Sequence, residues 1–172
     1  LVTTNGRMFY IFDEGPTASI ALPSDWKLIA RDAFNGLPLW KKPIPRWQTR
    51  LWPLKSGPAQ LPRRLVASED AVYATLGYDA PVTQMDAATG RTLQTYEGTA
   101  GTEEILHSDG VLFLSVDPSL DREKYTQHQA VRRPWWDEQP VQIRAVDAAS
   151  GETLWIHVSP IMPLTLAADS QR

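Results

Sequence analysis

Four of the seven tryptophans stand near arginines in two long stretches, residues 45–63 and 117–140. Indole rings stack on sugars, bases and other planar groups, and arginine pairs with carboxylate or phosphate. These residue types together predict a surface that binds a small molecule or a glycan. Long loops also need small cores of their own, so the same aromatic residues could simply hold the loops in place. The candidate binding residues are Trp47, Arg50, Trp52, Arg132, Arg133, Trp135 and Trp136.

The sequence contains no constellation typical of an enzyme. The histidines at 107, 128 and 157 lack the i, i+4 spacing of a helical metal site, and the acidic residues of 117–125 lack the order of a calcium loop. The chain has no cysteine, which excludes disulfides and thiolate chemistry within it. Neither a glycine-rich phosphate loop nor a nucleophile elbow occurs. We therefore expect no catalytic residue and no metal site, and no cofactor is evident.

Composition sets the class of protein and limits its partners. The chain has 172 residues, of which 42% are hydrophobic and 22% charged, which is typical of a globular domain. A net charge of −3 argues against nucleic acid or an anionic membrane as the main partner. No apolar run approaches the roughly 18 residues of a membrane helix. Because the chain starts at Leu1 rather than Met, an upstream segment is an open possibility.

A repeat organises most of the chain. Residues 30–40, 84–94 and 145–155 each contain an Asp followed four positions later by a Gly. The first and third copies also have Ala two residues before the Asp and Trp four residues after the Gly. The middle copy has Gln84 and Gln94 at those two positions. The repeat residues are Ala30, Asp32, Gly36 and Trp40 in the first copy, Asp86 and Gly90 in the second, and Ala145, Asp147, Gly151 and Trp155 in the third.

Each copy follows two shorter segments that are typical of strands. A turn and a β-branched or aromatic run precede it at 5–12, 70–76 and 109–116. A short apolar run comes earlier still and begins a fourth time near residue 164. The repeating unit is therefore a set of four antiparallel strands. The predicted divisions are a first unit at about 1–44, an insertion at 45–63, a second unit at about 64–98, a third at about 103–159, and the start of a further unit at 163–172.

The Asp-x-x-x-Gly segment suits a hairpin turn between the third and fourth strands. The carboxylate of the Asp can accept hydrogen bonds from backbone N–H groups of the turn. The residue before the Gly is Asn35, Thr89 or Ser150, which can do the same. The Gly can take a positive φ, as a hairpin with a bulge requires.

The string Ala-x-Asp-x-x-[Thr/Ser/Asn]-Gly-x-x-x-Trp resembles the tryptophan-docking motif of pyrroloquinoline-quinone-type (quinoprotein-like) β-propellers. The resemblance implies an all-β fold, about three four-stranded blades of an incomplete seven- or eight-bladed ring. In that family the Trp packs against the next blade, so Trp40 and Trp155 are expected to dock there. Gln84 and Gln94 depart from the motif, which puts the docking role of the middle copy in doubt. The alternative fold is a β-sandwich whose hairpins share one turn type, although the repeated Trp favours the propeller.

The longest loops are predicted to decorate a single face. Because successive strands run antiparallel, the insertions at 13–25, 45–63 and 117–140 all leave from the same edge of their sheets. We therefore expect a non-catalytic binding or scaffold module with its ligand or partner surface on that face. The remaining blades of a parent chain, or a protein partner, would complete it. The first alternative is a fragment of a quinone-dependent dehydrogenase, in which other blades help to hold pyrroloquinoline quinone and calcium. The second alternative is an independent β-sandwich domain. The resemblance implies a location outside the bacterial cytoplasm.

Overall fold

The computed structural model describes residues 1–19, 22–45, 63–77, 79–118, 140–161 and 165–168. Every regular element in this part of the chain is a β-strand, apart from a trace of helical turn at residue 63. The strands are β1 (Val2–Thr4), β2 (Arg7–Asp13), β3 (Trp26–Asp32), β4 (Pro38–Pro43), β5 (Leu65–Ser68), β6 (Ala71–Thr75), β7 (Val82–Asp86), β8 (Thr92–Thr95), β9 (Thr102–Ser108), β10 (Val111–Val116), β11 (Val141–Asp147) and β12 (Thr153–Ser159).

The twelve strands form three separate four-stranded antiparallel sheets. Sheet 1 contains β1–β4, sheet 2 contains β5–β8 and sheet 3 contains β9–β12, each with neighbours in sequence order. The first strands of successive sheets lie beside one another, β1 against β5 and β5 against β9. Sheets that each form a meander and stack through their faces around their first strands are blades of a β-propeller. The predicted fold is confirmed, and the two-sheet sandwich alternative is wrong.

Local sequence explains the two kinds of tight turn. Asn5 and Gly6, and likewise Asp109 and Gly110, take positive φ between the first two strands of sheets 1 and 3, as a two-residue hairpin turn requires. In each turn between the third and fourth strands, the Asp carboxylate accepts two backbone N–H groups. The Gly of each turn has a φ between +71° and +78°, and a bulge interrupts each hairpin just before its Asp.

The hydrophobic core lies between the sheets. One cluster joins sheets 1 and 2 and includes Phe9, Leu28 and Met85. A second cluster joins sheets 2 and 3 and includes Tyr73 and Leu114. Sheet 2 contributes to both clusters, and every residue of its strand β6 is buried. The alternation of side chains along a strand accounts for this, because successive residues point to opposite faces.

The chain after β12 adds no further described strand. Residues 165–168 lie outside any strand. The rest of the segment 163–172 lies outside the described residues, so the start of a further unit stays a prediction. No helix in the part of the chain that the structure describes is long and apolar enough to span a membrane.

Candidate functional site

The described ends of the three insertions all lie at the same edge of their sheets. The insertions leave from the ends of β2, β4 and β10, and antiparallel pairing puts these ends opposite the Asp-x-x-x-Gly turns. We refer to this side as the insertion edge. The predicted binding residues lie outside the described residues, so the prediction about them stays open. They are Trp47, Arg50, Trp52, Arg132, Arg133, Trp135 and Trp136.

Charged residues are buried at the insertion edge where the first strands of sheets 2 and 3 begin. Arg64 and Glu104 are each 1% exposed. The Nη2 atom of Arg64 lies 3.9 Å from Oε1 of Glu103, and Nε of Arg63 lies 3.7 Å from Oε1 of Glu104. Removing charges from water costs several kcal/mol per ion in order of magnitude, so buried charges occur paired and often at functional sites. These pairs connect the end of the 45–63 insertion, just before sheet 2, to β9, the first strand of sheet 3.

The sequence prediction missed this buried charged group. Two consecutive acidic residues, Glu103 and Glu104, open a strand that is otherwise largely apolar, and two consecutive arginines stand just before β5. Pairs of adjacent like charges at the starts of these strands were the sequence feature that could have indicated a buried charged group. Their pairing could not be seen from the sequence, because it depends on how sheets 2 and 3 stack.

A second charged cluster lies at the first insertion. The Oδ1 atom of Asp13 accepts the backbone N–H groups of Gly15 at 2.9 Å and Asp25 at 2.6 Å. Glu14 pairs with Lys41 and Lys27, and hydrogen bonds to these two lysines lower the pKa of Glu14. The cluster closes the described ends of the 13–25 loop against sheet 1. Its lysines and carboxylates neutralise one another, and the Asp13 carboxylate links the two described ends of the loop.

Trp40 joins sheet 1 to sheet 2. Its Nε1–H donates to the carbonyl of Ala87 at 3.0 Å, and its ring covers Gly90, where a Cβ would lie 2.7 Å from ring atom Cδ2. Lys42 adds hydrogen bonds from Nζ to the Gly90 carbonyl and to Oγ1 of Thr92. The contacts place a large aromatic side chain on the Asp-x-x-x-Gly turn of the neighbouring sheet.

Two residues, rather than one tryptophan, make the corresponding contacts between sheets 2 and 3. Gln94, at the position of Trp40, lies against Gly151. Tyr96, two residues further on, donates its hydroxyl to the carbonyl of Ala148 at 2.6 Å. Ala148 follows Asp147 as Ala87 follows Asp86, so the acceptor is equivalent. Burial of the Tyr96 hydroxyl raises its pKa. The junction between sheets 2 and 3 thus uses the equivalent acceptor to the junction between sheets 1 and 2, with a tyrosine as donor.

On sheets 1 and 3, one residue equivalent to each side of this junction contacts no neighbouring sheet among the described residues. Trp155 on sheet 3 is 46% exposed and contacts Phe113 of its own sheet. On sheet 1 no atom of the described residues lies within 4 Å of the Cβ position of Gly36. The Gly36 carbonyl accepts a hydrogen bond from Nη1 of Arg31 in the same sheet. At Gly90 the corresponding carbonyl is bonded by a neighbouring sheet. Sheet 3 therefore presents a half-exposed tryptophan, whereas sheet 1 presents a glycine turn that no described ring covers.

Metal-ligating side chains do not come together in the described residues. No group of three or more His, Asp or Glu side chains there could hold an ion. The ring of His107 stacks on Tyr73 with centroids 5.5 Å apart. His157 is exposed on β12, and residue 128 lies outside the described residues.

Comparison with known proteins matches the fold to propeller dehydrogenases. A europium-containing methanol dehydrogenase matches with a TM-score of 0.51 and 13% identity, over 90% of this chain and 23% of that chain. A quinohemoprotein alcohol dehydrogenase from Comamonas testosteroni matches with a TM-score of 0.48 and 15% identity, over the same shares. No protein-family model and no curated protein matches the chain. The chain thus spans about a quarter of these structures, and at such identities the likeness concerns the fold.

Proposed function

We propose that this chain is a non-catalytic segment of a β-propeller that binds a ligand or a partner at its insertion edge. The binding surface would consist of the three insertions, supported from below by the inner strands of the blades. Loops on a rigid scaffold are where binding residues usually concentrate. The tryptophans and arginines of the insertions suit a planar or anionic group, such as a glycan ring or a carboxylate.

The buried charges at the insertion edge carry this proposal. Arg64 and Glu104 lie almost entirely out of solvent, and burying charges costs free energy that a functional role explains. Arg63, the last residue of the 45–63 insertion, remains partly exposed while it faces Glu104. Preplaced charges at the edge from which tryptophan- and arginine-containing insertions leave the sheets suit a recognition surface.

The remainder of the propeller is the first expected partner. The matched structures are about four times longer than the matched part, and sheet 3 still exposes Trp155 on its free face. We propose that Trp155 docks on a further blade as Trp40 docks on sheet 2. By analogy with quinoprotein-like propellers, we also propose a location outside the cytoplasm of a bacterium. Fusion to a reporter that is active in one compartment only would test that location.

A titration followed by intrinsic fluorescence tests the binding surface. The two probes are maltotetraose, a neutral glycan, and pyrroloquinoline quinone, a planar tricarboxylate. We expect saturable binding of one probe that Trp135→Ala with Trp136→Ala weakens at least tenfold. Trp155→Ala is the matched control and should leave the affinity unchanged. If neither probe binds, or if the control variant weakens binding equally, the assignment of the surface to this edge is wrong.

A quinone-dependent dehydrogenase is the second candidate function, because a methanol dehydrogenase shares the fold. The described residues do not bring together a metal-ligating group, so they do not fit the calcium site of such an enzyme by themselves, and we derive no reaction step from them. Dye reduction with alcohols or aldose sugars, after addition of pyrroloquinoline quinone and calcium, separates the candidates. Turnover would support the enzyme, whereas quinone binding without dye reduction would support the binding module.

A further inference from the structure

The outermost strands of the three sheets differ in how they protect their free edges. Strand β4 begins and ends with proline and contains Lys41 and Lys42. Strand β8 has only four residues. Short length, proline and lysine are the usual devices that keep an edge strand from pairing with another chain. Strand β12 has seven residues, Thr-Leu-Trp-Ile-His-Val-Ser, with no proline and no Asp, Glu, Lys or Arg.

Strand β12 is also exposed along nearly its whole length. Six of its seven residues are exposed, and only Ser159 is partly buried. Leu154, Ile156 and Val158 are all about half accessible to solvent or more. Within the part of the chain that the structure describes, β12 pairs with β11 alone. A long, uncharged and apolar edge is a template for a further strand.

We propose that β12 is an interaction edge at which a second copy of this chain adds its own β12 in antiparallel orientation. The pairing would join two sheets edge to edge across a twofold axis, which makes the interface isologous. It uses the backbone edge of β12, so the face of sheet 3 that carries Trp155 remains available to a neighbouring blade.

Geometry restricts this pairing to a few registers. Opposite residues in an antiparallel pair point to the same face of the sheet. With the twofold axis perpendicular to the sheet, some residue must therefore face its own copy. All seven residues overlap only when Ile156 is that residue. Leu154 then faces Val158, and Thr153 faces Ser159. Trp155 faces His157 on the other side of the sheet.

The resulting pairs explain why a second copy fits this edge. The pairs of Leu154 with Val158 and of Ile156 with itself place apolar side chains together, which favours cross-strand packing. The pairing brings no like charges together, since β12 contains no Asp, Glu, Lys or Arg. Just beyond it, Glu152 faces Pro160, and the proline ends the ladder. The same twofold pairing of β4 would place lysines near one another.

Introduced thiols test the register directly, because the chain has no native cysteine. We expect Ile156→Cys to form a disulfide-linked dimer of the complete chain under mild oxidation. Leu154→Cys and Val158→Cys should crosslink efficiently only when the two variants are mixed. Leu93→Cys is the control, since Leu93 lies on the outer strand of sheet 2 and is similarly exposed, at 43% against 49% for Ile156. It should give only background crosslinking.

Sedimentation velocity over a concentration series provides the second readout. The seven-residue ladder buries less than the ~800 Å² per partner of a standard interface, so we expect a dissociation constant on the order of micromolar or weaker. Ile156→Lys should weaken the dimer at least tenfold, and it should fold, because sheet 1 has Lys41 at the equivalent position. A chain that stays monomeric at all concentrations would overturn the proposal. Self-association that Ile156→Lys leaves intact, without the predicted disulfides, would overturn it as well.

Discussion

The indole N–H of Trp40 and the backbone carbonyl of Ala87 form a 3.0 Å hydrogen bond that joins sheet 1 to sheet 2. The hydroxyl of Tyr96 and the carbonyl of Ala148 form the equivalent bond, at 2.6 Å, between sheets 2 and 3. One acceptor position is therefore used twice by different donors. The junction between blades depends on the position of the acceptor in the turn more than on the identity of the donor residue.

The first prediction concerns the indole donor. Trp40→Phe keeps an aromatic ring on Gly90 and removes the N–H that bonds Ala87. We expect a loss of about 1 kcal/mol in the free energy of unfolding, typical of one hydrogen bond. Urea unfolding followed by circular dichroism measures it. Trp155→Phe is the control, because that indole is half exposed, and it should change stability by less than about 0.5 kcal/mol.

The second prediction uses two glycines with the same backbone conformation. Gly90 and Gly36 have φ values of +71° and +73°, so a Cβ causes similar backbone strain at both. Only at Gly90 does the new Cβ collide with Trp40. We expect Gly90→Ala to cost about 1–3 kcal/mol more than Gly36→Ala, the range for overpacking. Equal losses in the two urea unfolding curves would show that Trp40 does not press on Gly90.

The third prediction concerns Tyr96, the hydrogen-bond donor at the junction between sheets 2 and 3. Tyr96→Phe leaves the ring in place and removes the donor to the Ala148 carbonyl. Because Tyr96 is buried, that carbonyl cannot readily recruit water, and we expect a loss of about 1–3 kcal/mol. The same unfolding assay applies. Tyr10→Phe is a control on sheet 1, where the hydroxyl accepts a hydrogen bond from Nε–H of Arg31 in the same sheet. A smaller loss in Tyr96→Phe than in this control would contradict the assignment.

The fourth prediction concerns acid stability. Hydrogen bonds from the side chain and then the backbone of Thr89 lower the pKa of Asp86 below its ordinary value of 3.8. A carboxyl whose pKa is lower in the folded state stabilises the fold fully well above pH 3.8. It loses that contribution as the pH falls through the folded pKa. We expect Thr89→Ala to raise the pKa of Asp86 toward 3.8, as measured by an NMR titration of the carboxyl carbon.

The matching control for the acid titration lies on the exposed strand β8. Thr95→Ala removes a threonine from the same sheet without touching the Asp86 turn, so the pKa of Asp86 should stay where it is. Ser150→Ala should have the effect of Thr89→Ala on Asp147, whose pKa is lowered by the backbone and side chain of Ser150. If Thr89→Ala leaves the titration of Asp86 unchanged, the hydroxyl does not hold that carboxylate.

The sequence alone was sufficient for the features that depend on neighbours along the chain. The Asp-x-x-x-Gly spacing predicted the hairpins, because the carboxylate that accepts the turn's N–H groups and the glycine that takes positive φ lie within five residues. The recurrence of four strand patterns predicted the blades. Strand β3 ends at Asp32, β7 at Asp86 and β11 at Asp147, as the repeat required.

Only the tertiary structure decided which residues meet between the sheets. Nothing in the sequence marks Tyr96 as the substitute for a tryptophan two positions earlier, because its acceptor, Ala148, lies 52 residues away. The burial of Arg64 and Glu104 likewise depends on the stacking of sheets 2 and 3. Local hydrogen bonds follow from short-range spacing, whereas contacts between blades depend on how the sheet faces stack, and one-dimensional spacing carries no record of that packing.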